Sequence, residues 1–321
     1  MQAIQVTQFG DPHVLTCTDI APPALSSDTQ VLVEIKAAGV NPVDTYIRAG
    51  TYGRLPDLPY TPGIDGAGVV TEVGAGVTGI EVGDRVYGGW PISGTYAQVA
   101  LYDQAWVYPL PAHLSFEQGA CIFVPYSTAY RALFHKAQAQ PGDTVLVHGA
   151  TGAVGLAAVQ LAVARGMRVI ATGGSAPGQQ LVTAQGADLV LDHHSDDYQA
   201  AIQDATDGQG VDVIVEMLAN VNLGNDLPLL APGGRLAIVG SRGPVTINPR
   251  DIMAKDSMVT AVNLFNTPAA TLHRIQRALY AGLRQHTLSP VVYQTLSLQA
   301  AAAAHQRVLE PGGQGNWLLV P

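Results

Sequence analysis

The sequence predicts an α/β protein of two domains, a β-rich, barrel-like one and an open, doubly wound parallel sheet, and three observations carry this expectation. The chain has 321 residues, more than one hydrophobic core usually serves. Residues 1 to 122 read as short strands between glycine and proline turns, whereas residues 123 to 287 alternate helical and strand-like stretches, the pattern of repeated βα units. Within the latter, residues 143 to 175 place a buried-strand signal, a glycine-broken turn and an apolar helix in direct succession.

In the first domain, Val31, Val33 and Ile35 alternate with Leu32, Glu34 and Lys36, the period of a half-buried strand. Segments 66 to 73 and 84 to 87 repeat this texture. Between the strands lies a polar segment, Asn41 to Tyr52, followed by a proline-rich stretch ending at Pro62-Gly63. It reads as a loop lining a site, because loops on a rigid scaffold carry much of a protein's function.

In the second domain Val145, Leu146 and Val147 give a short buried strand and Gly149 ends it. Ala150-x-Gly152-x-x-Gly155 then opens a helix with apolar Val159, Ala162 and Val163, followed by Gly166. This is a dinucleotide fingerprint in its proper context. Small residues are needed there because a pyrophosphate must rest on backbone N–H groups at a helix N-terminus, where the dipole favours its charge. Ala150 replaces the first glycine and leaves the turn to Gly149. Further strands are expected at 188 to 192, 211 to 217, 235 to 240 and 259 to 265. Residues 288 to 321 return to strand, helix and strand and rejoin the first domain, with the alanine run 300 to 304 as helix and Trp317 to Val320 as a barrel strand.

The second strand of this sheet, Arg168 to Thr172, bears on the cofactor. Sites for the unphosphorylated dinucleotide usually carry an acid about twenty residues past the glycines, bonded to the ribose 2′-hydroxyl. Gly173, Gly174 and Ser175 stand there instead, and no carboxylate follows until Asp188. An acid would repel a 2′-phosphate, so its absence admits NADPH.

Net charge is −9 with Lys and Arg scattered singly, which argues against nucleic acid or an anionic membrane surface as the main partner. Without a secretory signal or a membrane-spanning run, a soluble cytoplasmic protein is expected. Cys17 and Cys121 form no C-x-x-C pair, and both are expected to be buried small hydrophobes.

Leu58-Pro-Tyr-Thr-Pro-Gly-Ile-Asp65, Val124-Pro-Tyr-Ser-Thr-Ala-Tyr-Arg-Ala-Leu133, Val145-Leu-Val-His-Gly-Ala150, Glu216-Met-Leu-Ala-Asn-Val-Asn-Leu223 and Val239-Gly-Ser-Arg-Gly243 together resemble the zinc-free quinone oxidoreductases of the medium-chain dehydrogenase/reductase superfamily, zeta-crystallin type. The resemblance spans essentially the whole chain. It implies a GroES-like catalytic domain over residues 1 to 122, completed by 288 to 321, and a Rossmann NADP-binding domain over 123 to 287. It also implies reduction of a quinone by NADPH in the cleft between them. The implied cofactor contacts are Tyr52, Thr128, the fingerprint residues Thr151, Gly152, Ala153, Val154 and Gly155, then Gly174, Ser175 and His193 about the adenosine ribose, Asn222, and the run Val239, Gly240, Ser241 and Arg242. Tyr52, Tyr46 and Asn41 are the implied catalytic group, as hydrogen-bond partners for a substrate carbonyl. Gln179 and Asn316 replace basic residues of some relatives, which leaves Arg242, Ser175 and His193 to meet the 2′-phosphate.

No metal is expected. Where the alcohol dehydrogenase branch places a cysteine and a histidine ligand, this chain carries Asn41 and Ile64, which cannot replace a thiolate and an imidazole. His193-His194 with Asp192, Asp196 and Asp197 suggests a cluster, but neighbours on a strand point to opposite faces, so a ribose-edge histidine beside a solvated one is expected. Quinone reduction needs no general acid, because the reduced oxygen is stabilised as a phenolate and positioning suffices. Two other functions fit the same sequence: reduction of an enone or alkenal double bond, and a structural or RNA-binding role retaining NADPH. A homodimer or dimer-based oligomer is expected through the apolar edge strand 259 to 265.

Overall fold

The computed structural model describes residues 1–321. It divides into two compact units, Met1–Val124 with Pro290–Pro321, and Pro125–Ser289.

The first unit opens with an antiparallel pair, β1 (Gln2–Gln5) and β2 (Thr16–Asp19). Then come β3 (Gln30–Val40), β4 (Gly66–Val73), β5 (Arg85–Gly88), β6 (Val99–Asp103) and β7 (Val107–Pro109). The expected strands are present, but their alternation is imperfect: Leu32, on the nominally polar face of β3, is buried with Val31, Val33 and Ile35. β3 is the hub, pairing with β4 along one edge and with β6 over residues 30–34 of the other.

Asn41 to Gly50 departs from the sequence expectation, because this stretch is a helix, Pro42–Ala49, and not a loop. Asn41 is its extended N-cap, Pro42 fills the first turn where no N–H is required, and the Asp44 carboxyl accepts the Asn41 N–H at 2.9 Å. The helix ends on Gly50 at φ +77°. Proline at the start, an acid at the third position and glycine past the end together make a strong helix signature, which the polar composition masks.

The second unit carries β8 (Thr144–Val147), β9 (Arg168–Thr172), β10 (Leu189–Leu191), β11 (Val211–Glu216), β12 (Leu230–Ile238) and β13 (Met258–Ala261). All are parallel, in the order β10-β9-β8-β11-β12-β13. A helix lies between each pair of successive strands. The helix after β8, Ala153–Val163, is buried without a break from Gly155 to Ala162; Val163, expected on the apolar face, is instead 36% exposed. Strand β12 starts earlier than expected, at Leu230, and its register against β11 shifts at Val213. Strand β13 is shorter than the expected 259 to 265, because Asn263 accepts the Phe265 N–H and turns the chain into a 3₁₀ segment, Leu264–Asn266.

The chain then returns to the first unit with β14 (Val292–Ser297), the helix Ala301–Arg307 and β15 (Asn316–Val320). Strand β15 pairs antiparallel with residues 38–40 of β3, beyond the stretch that β6 occupies. Ala301, Ala304, Trp317 and Leu319 join the first unit's core with Ile4, Val33 and Val86. Asn316 is buried and donates to the Val291 carbonyl at 3.3 Å. Cys121 is buried, its thiol donating to the Glu117 carbonyl, but Cys17 is exposed, against expectation, on the two-stranded pair.

Candidate cofactor and substrate sites

At the end of β8 the chain turns on Gly149, at φ +56°, and enters the helix through Gly152 as N-cap. Gly152 has no side chain to cap the helix, and the first helical N–H groups lack intrahelical acceptors, so the terminus is open to an anion. The glycines have separate tasks. An added Cβ at Gly152 would meet only Gly149 O, at 3.6 Å, whereas one at Gly155 would fall 2.5 Å from Gly149 O and 2.6 Å from Ala150 Cα. Gly155 therefore allows the helix to pack on the turn, and Gly152 leaves space above it. Thr151, Gly152, Ala153 and Val154 are all half-buried there.

The end of β9 lies beside this turn. A Cβ at Gly173 or Gly178 would approach Thr151 Cγ2 to 2.9 and 2.7 Å, and one at Gly174 would approach His194 Cε1 and His193 Cε1 to 2.5 and 2.8 Å. Ser175 caps the next helix, accepting the Gly178 N–H at 3.3 Å, and Gln179 donates to the Gly173 carbonyl at 2.8 Å. Contrary to the strand argument, the His193 and His194 rings lie side by side, with centroids 4.3 Å apart. Strand β10 ends at Leu191 and the histidines sit in a turn, where alternation of faces does not apply. His194 is tied to exposed Asp192 through its backbone N–H and its ring, at 2.9 and 3.0 Å.

The ends of β11 and β12 form a second corner. The N–H groups of Val239 and Gly240 donate to the Glu216 carbonyl at 2.8 and 3.3 Å, and the Arg242 N–H donates to Asn220 Oδ1 at 2.8 Å. The Ser241 hydroxyl donates to Gly243 O, and the Arg242 side chain is exposed. Asn222 donates from Nδ2 to both Glu216 carboxyl oxygens, at 3.1 and 3.3 Å. Thr128 stands apart on the helix Phe123–Tyr130. Sequence reasoning missed the group beneath this corner: His148, Glu216 and Asp226 are buried with their polar atoms within 4.8 Å of one another.

In the first unit, Tyr46 is half-buried on the helix Pro42–Ala49 and Tyr52 half-buried just beyond its end, where the Thr51 N–H donates to the Tyr46 carbonyl at 3.1 Å. Asn41 is 3% exposed and donates from Nδ2 to Asp65 Oδ2 at 3.0 Å. Asp65 also accepts the Val124 N–H at 2.9 Å. Asp44, besides the Asn41 N–H, receives a longer contact from the Tyr96 hydroxyl, 3.5 Å, and that hydroxyl lies 3.2 Å from His305 Nε2. No cation balances either acid, so burial pushes Asp44 up to about 7 and Asp65 up to about 8, while it pushes His305 down to about 3. Ile64 is buried hydrocarbon.

Residues 27–112 match the family described as Alcohol dehydrogenase GroES-like domain, and residues 153–279 the one described as Zinc-binding dehydrogenase. The chain is 47% identical over 322 residues to a quinone oxidoreductase of Rattus norvegicus, covering 100% of this chain and 98% of that one. This chain belongs to the quinone oxidoreductase family. The family sits in the medium-chain dehydrogenase/reductase superfamily, with a GroES-like unit followed by a Rossmann-like parallel sheet. A quinone oxidoreductase of Escherichia coli complexed with NADPH matches 100% of both chains, at 32% identity and a TM-score of 0.89. An NAD-dependent alcohol dehydrogenase matches as fully, at 30% identity and 0.92. Fold likeness alone therefore does not choose the cofactor, and the ribose corner has to.

Proposed function

We propose that this protein reduces quinones with NADPH, each site group acting by position and hydrogen bonding. The observation that carries this reading is the full-length 47% identity to a quinone oxidoreductase, joined to a ribose corner where Gly173, Gly174 and Ser175 present no carboxylate. The residues fit the cofactor: the open helix terminus at Gly152 suits a pyrophosphate, and the glycine-lined corner beside Ser175 and His193 suits a 2′-phosphate. Bound NADPH supplies the hydride. Thr151 to Gly155 would hold the pyrophosphate, Ser175 and His193 would flank the 2′-phosphate, and Asn222 with Val239 to Arg242 would supply the contacts at the corner after β11 and β12. Arg242, expected at the 2′-phosphate, belongs to that second corner, because β8 and β11 separate it from the end of β9. Tyr52 and Tyr46 orient the quinone oxygens, and Asn41, its amide held by Asp65, fixes the start of the helix that carries Tyr46.

The reaction on this reading needs no metal. The Asn41 amide nitrogen is committed to Asp65 and Ile64 offers no lone pair, so these two positions do not fit a zinc site. The test is NADPH-dependent turnover of a para-quinone, with an alkenal for comparison and chelator present throughout. Tyr52→Phe removes one neutral hydrogen bond and is expected to lower kcat/KM about two- to tenfold. Tyr52→Ala, which also removes the ring, is expected to cost more. Faster turnover of the alkenal would reassign the substrate, loss of activity to the chelator would refute metal independence, and a wild-type Tyr52→Ala would refute the site.

We further propose a homodimer or dimer-based oligomer built on β13, in a cytoplasmic protein. Strand β13 is an outer edge of its sheet, pairing only with β12, with Met258 exposed on it and Met253 74% exposed just before it; such an edge invites pairing. The cysteines are unpaired, as suits a reducing compartment, and no helix is long and apolar enough to cross a membrane. Light scattering on protein from the cytosolic fraction checks both statements. A monomer at micromolar concentration would refute the first, and recovery with membranes the second.

A further inference from the structure

His148 immediately precedes Gly149 and is buried. Nε2 lies 2.8 Å from Asp226 Oδ1 and 3.9 Å from Glu216 Oε2. The 2.8 Å approach falls outside strict hydrogen-bond geometry, yet contact with Asp226 and its charge both act on His148, and the Asp226 carboxyl also faces Glu216. The other ring nitrogen, Nδ1, is 3.3 Å from Thr172 Oγ1, the same oxygen that accepts the Gly149 N–H. Glu216 in turn accepts from the Leu218 N–H and from Asn222 Nδ2. One buried trio thus ties the glycine turn after β8 to the corner after β11.

We propose that His148, Asp226 and Glu216 act as a single buried charge unit that positions the glycine turn and the Leu218–Asn222 corner for NADPH. The inference rests on the NADPH reading above and assigns positioning residues to it. Two carboxyl groups this close and this deeply buried require a cation or a shared proton. His148 provides it: burial alone would lower its pKa, but contact with Asp226 and the fields of Asp226 and Glu216 outweigh burial, and the net shift is upward. Burial also raises Glu216 above the usual carboxylate range, with His148 opposing and Asp226 adding to the rise. The remaining groups facing His148 are neutral or distant: the Tyr198 ring edge-on at 6.4 Å, the Thr172 hydroxyl, and His193, itself held down by burial, then by His194 and more weakly by His148. Without His148, Glu216 must share or take up a proton, and its grip on Leu218 and Asn222 weakens.

The test is equilibrium binding of NADPH, followed by cofactor fluorescence between about pH 6 and 9. Each variant is compared with wild type at the same pH, because a phosphate monoester itself titrates near pH 6. His148→Gln is expected to weaken binding about tenfold at pH 8 and less at pH 6, since it strands two carboxylates. Adding Glu216→Gln or Asp226→Asn, which removes one of those charges and keeps the shape, is expected to restore affinity to within about threefold of wild type. Wild-type affinity in His148→Gln would overturn the proposal, as would failure of both second substitutions to recover affinity, which is the result for a side chain that only fills space. If His148→Gln alone does not fold, soluble NADPH-binding double variants are the rescue, and insoluble ones count against it. Stoichiometric metal in the wild-type protein would also overturn it. If wild type binds no NADPH, the functional reading fails, and the charge coupling is then read from the melting temperatures of the same variants.

Discussion

Gly155→Ala is expected to lose both stability and NADPH affinity, whereas Gly152→Ala loses affinity alone. The added carbon at Gly155 would sit 2.5 Å from Gly149 O and 2.6 Å from Ala150 Cα. Both are backbone atoms of the cofactor-binding turn, so no rotamer relieves the overlap and the turn itself must move. Overpacking of this kind costs about 1 to 3 kcal/mol, and the displaced turn should bind NADPH at least about tenfold more weakly, each factor of ten being about 1.4 kcal/mol. The carbon at Gly152 meets nothing closer than 3.6 Å, so the protein should fold with a loss of about 1 kcal/mol or less, the cost of a poorer N-cap. It nevertheless occupies the space the pyrophosphate needs. Thermal melting without cofactor, followed by NADPH titration, separates the two cases. The separate tasks of these glycines are disproved if Gly152→Ala melts as low as Gly155→Ala, or if both bind NADPH like wild type.

Raising the pH from about 5 to 9 should destabilise the first unit by several kcal/mol. Asp44 and Asp65 are pushed up by burial to about 7 and about 8 from an ordinary 3.8. The sign follows from proton counting. Between the ordinary and the raised values the folded protein holds protons that the unfolded chain has released, so stability is greatest below about pH 4 as far as these acids are concerned. It falls as pH climbs to about 8, then levels off. His305 acts on the other flank: burial holds it at about 3, so the unfolded chain takes up a proton below its ordinary 6.5 and stability falls as pH drops from there. Two acids outweigh one histidine at every pH above their ordinary 3.8, so the histidine only softens the fall and the maximum lies near about pH 4. All three tryptophans, Trp90, Trp106 and Trp317, lie in this unit, so tryptophan fluorescence during urea unfolding reports on it selectively. Asp65→Asn should remove roughly half of the alkaline loss. Identical unfolding midpoints at pH 5 and 9 would rule out the buried-acid account.

Much of the architecture was legible because it is written locally. The alternation at 31 to 36, the apolar run 145 to 147 and the glycines at 149, 152 and 155 each declare their conformation within a few residues. The helix after Asn41 is written locally too, in its proline, third-position acid and closing glycine, but its polar composition masks that pattern. Other features depend on register. His148 meets Glu216 because β8 and β11 pair in parallel with Val147 opposite Val215, and no spacing along the chain announces that. The side-by-side rings of His193 and His194 likewise depend on where β10 stops. Asp44 and Asp65 look like ordinary surface acids until the fold encloses them.

Strand β15 has a consequence for how the protein is made. Residues 38–40 of β3 wait for residues 317–319 as partners, while the whole of Pro125–Ser289 lies between them. A ribosome emitting about 5 to 20 residues per second leaves the first unit's hub strand with an open edge for many seconds. The parallel sheet, contiguous in sequence, can fold in that interval. The GroES-like unit can close only afterwards, by one of the longest-range pairings in the chain, and such pairings are intrinsically slow. Cutting the chain before residue 316 should therefore leave a folded, NADPH-competent second unit attached to a first unit with β3 exposed, a species whose fate is aggregation rather than partial activity.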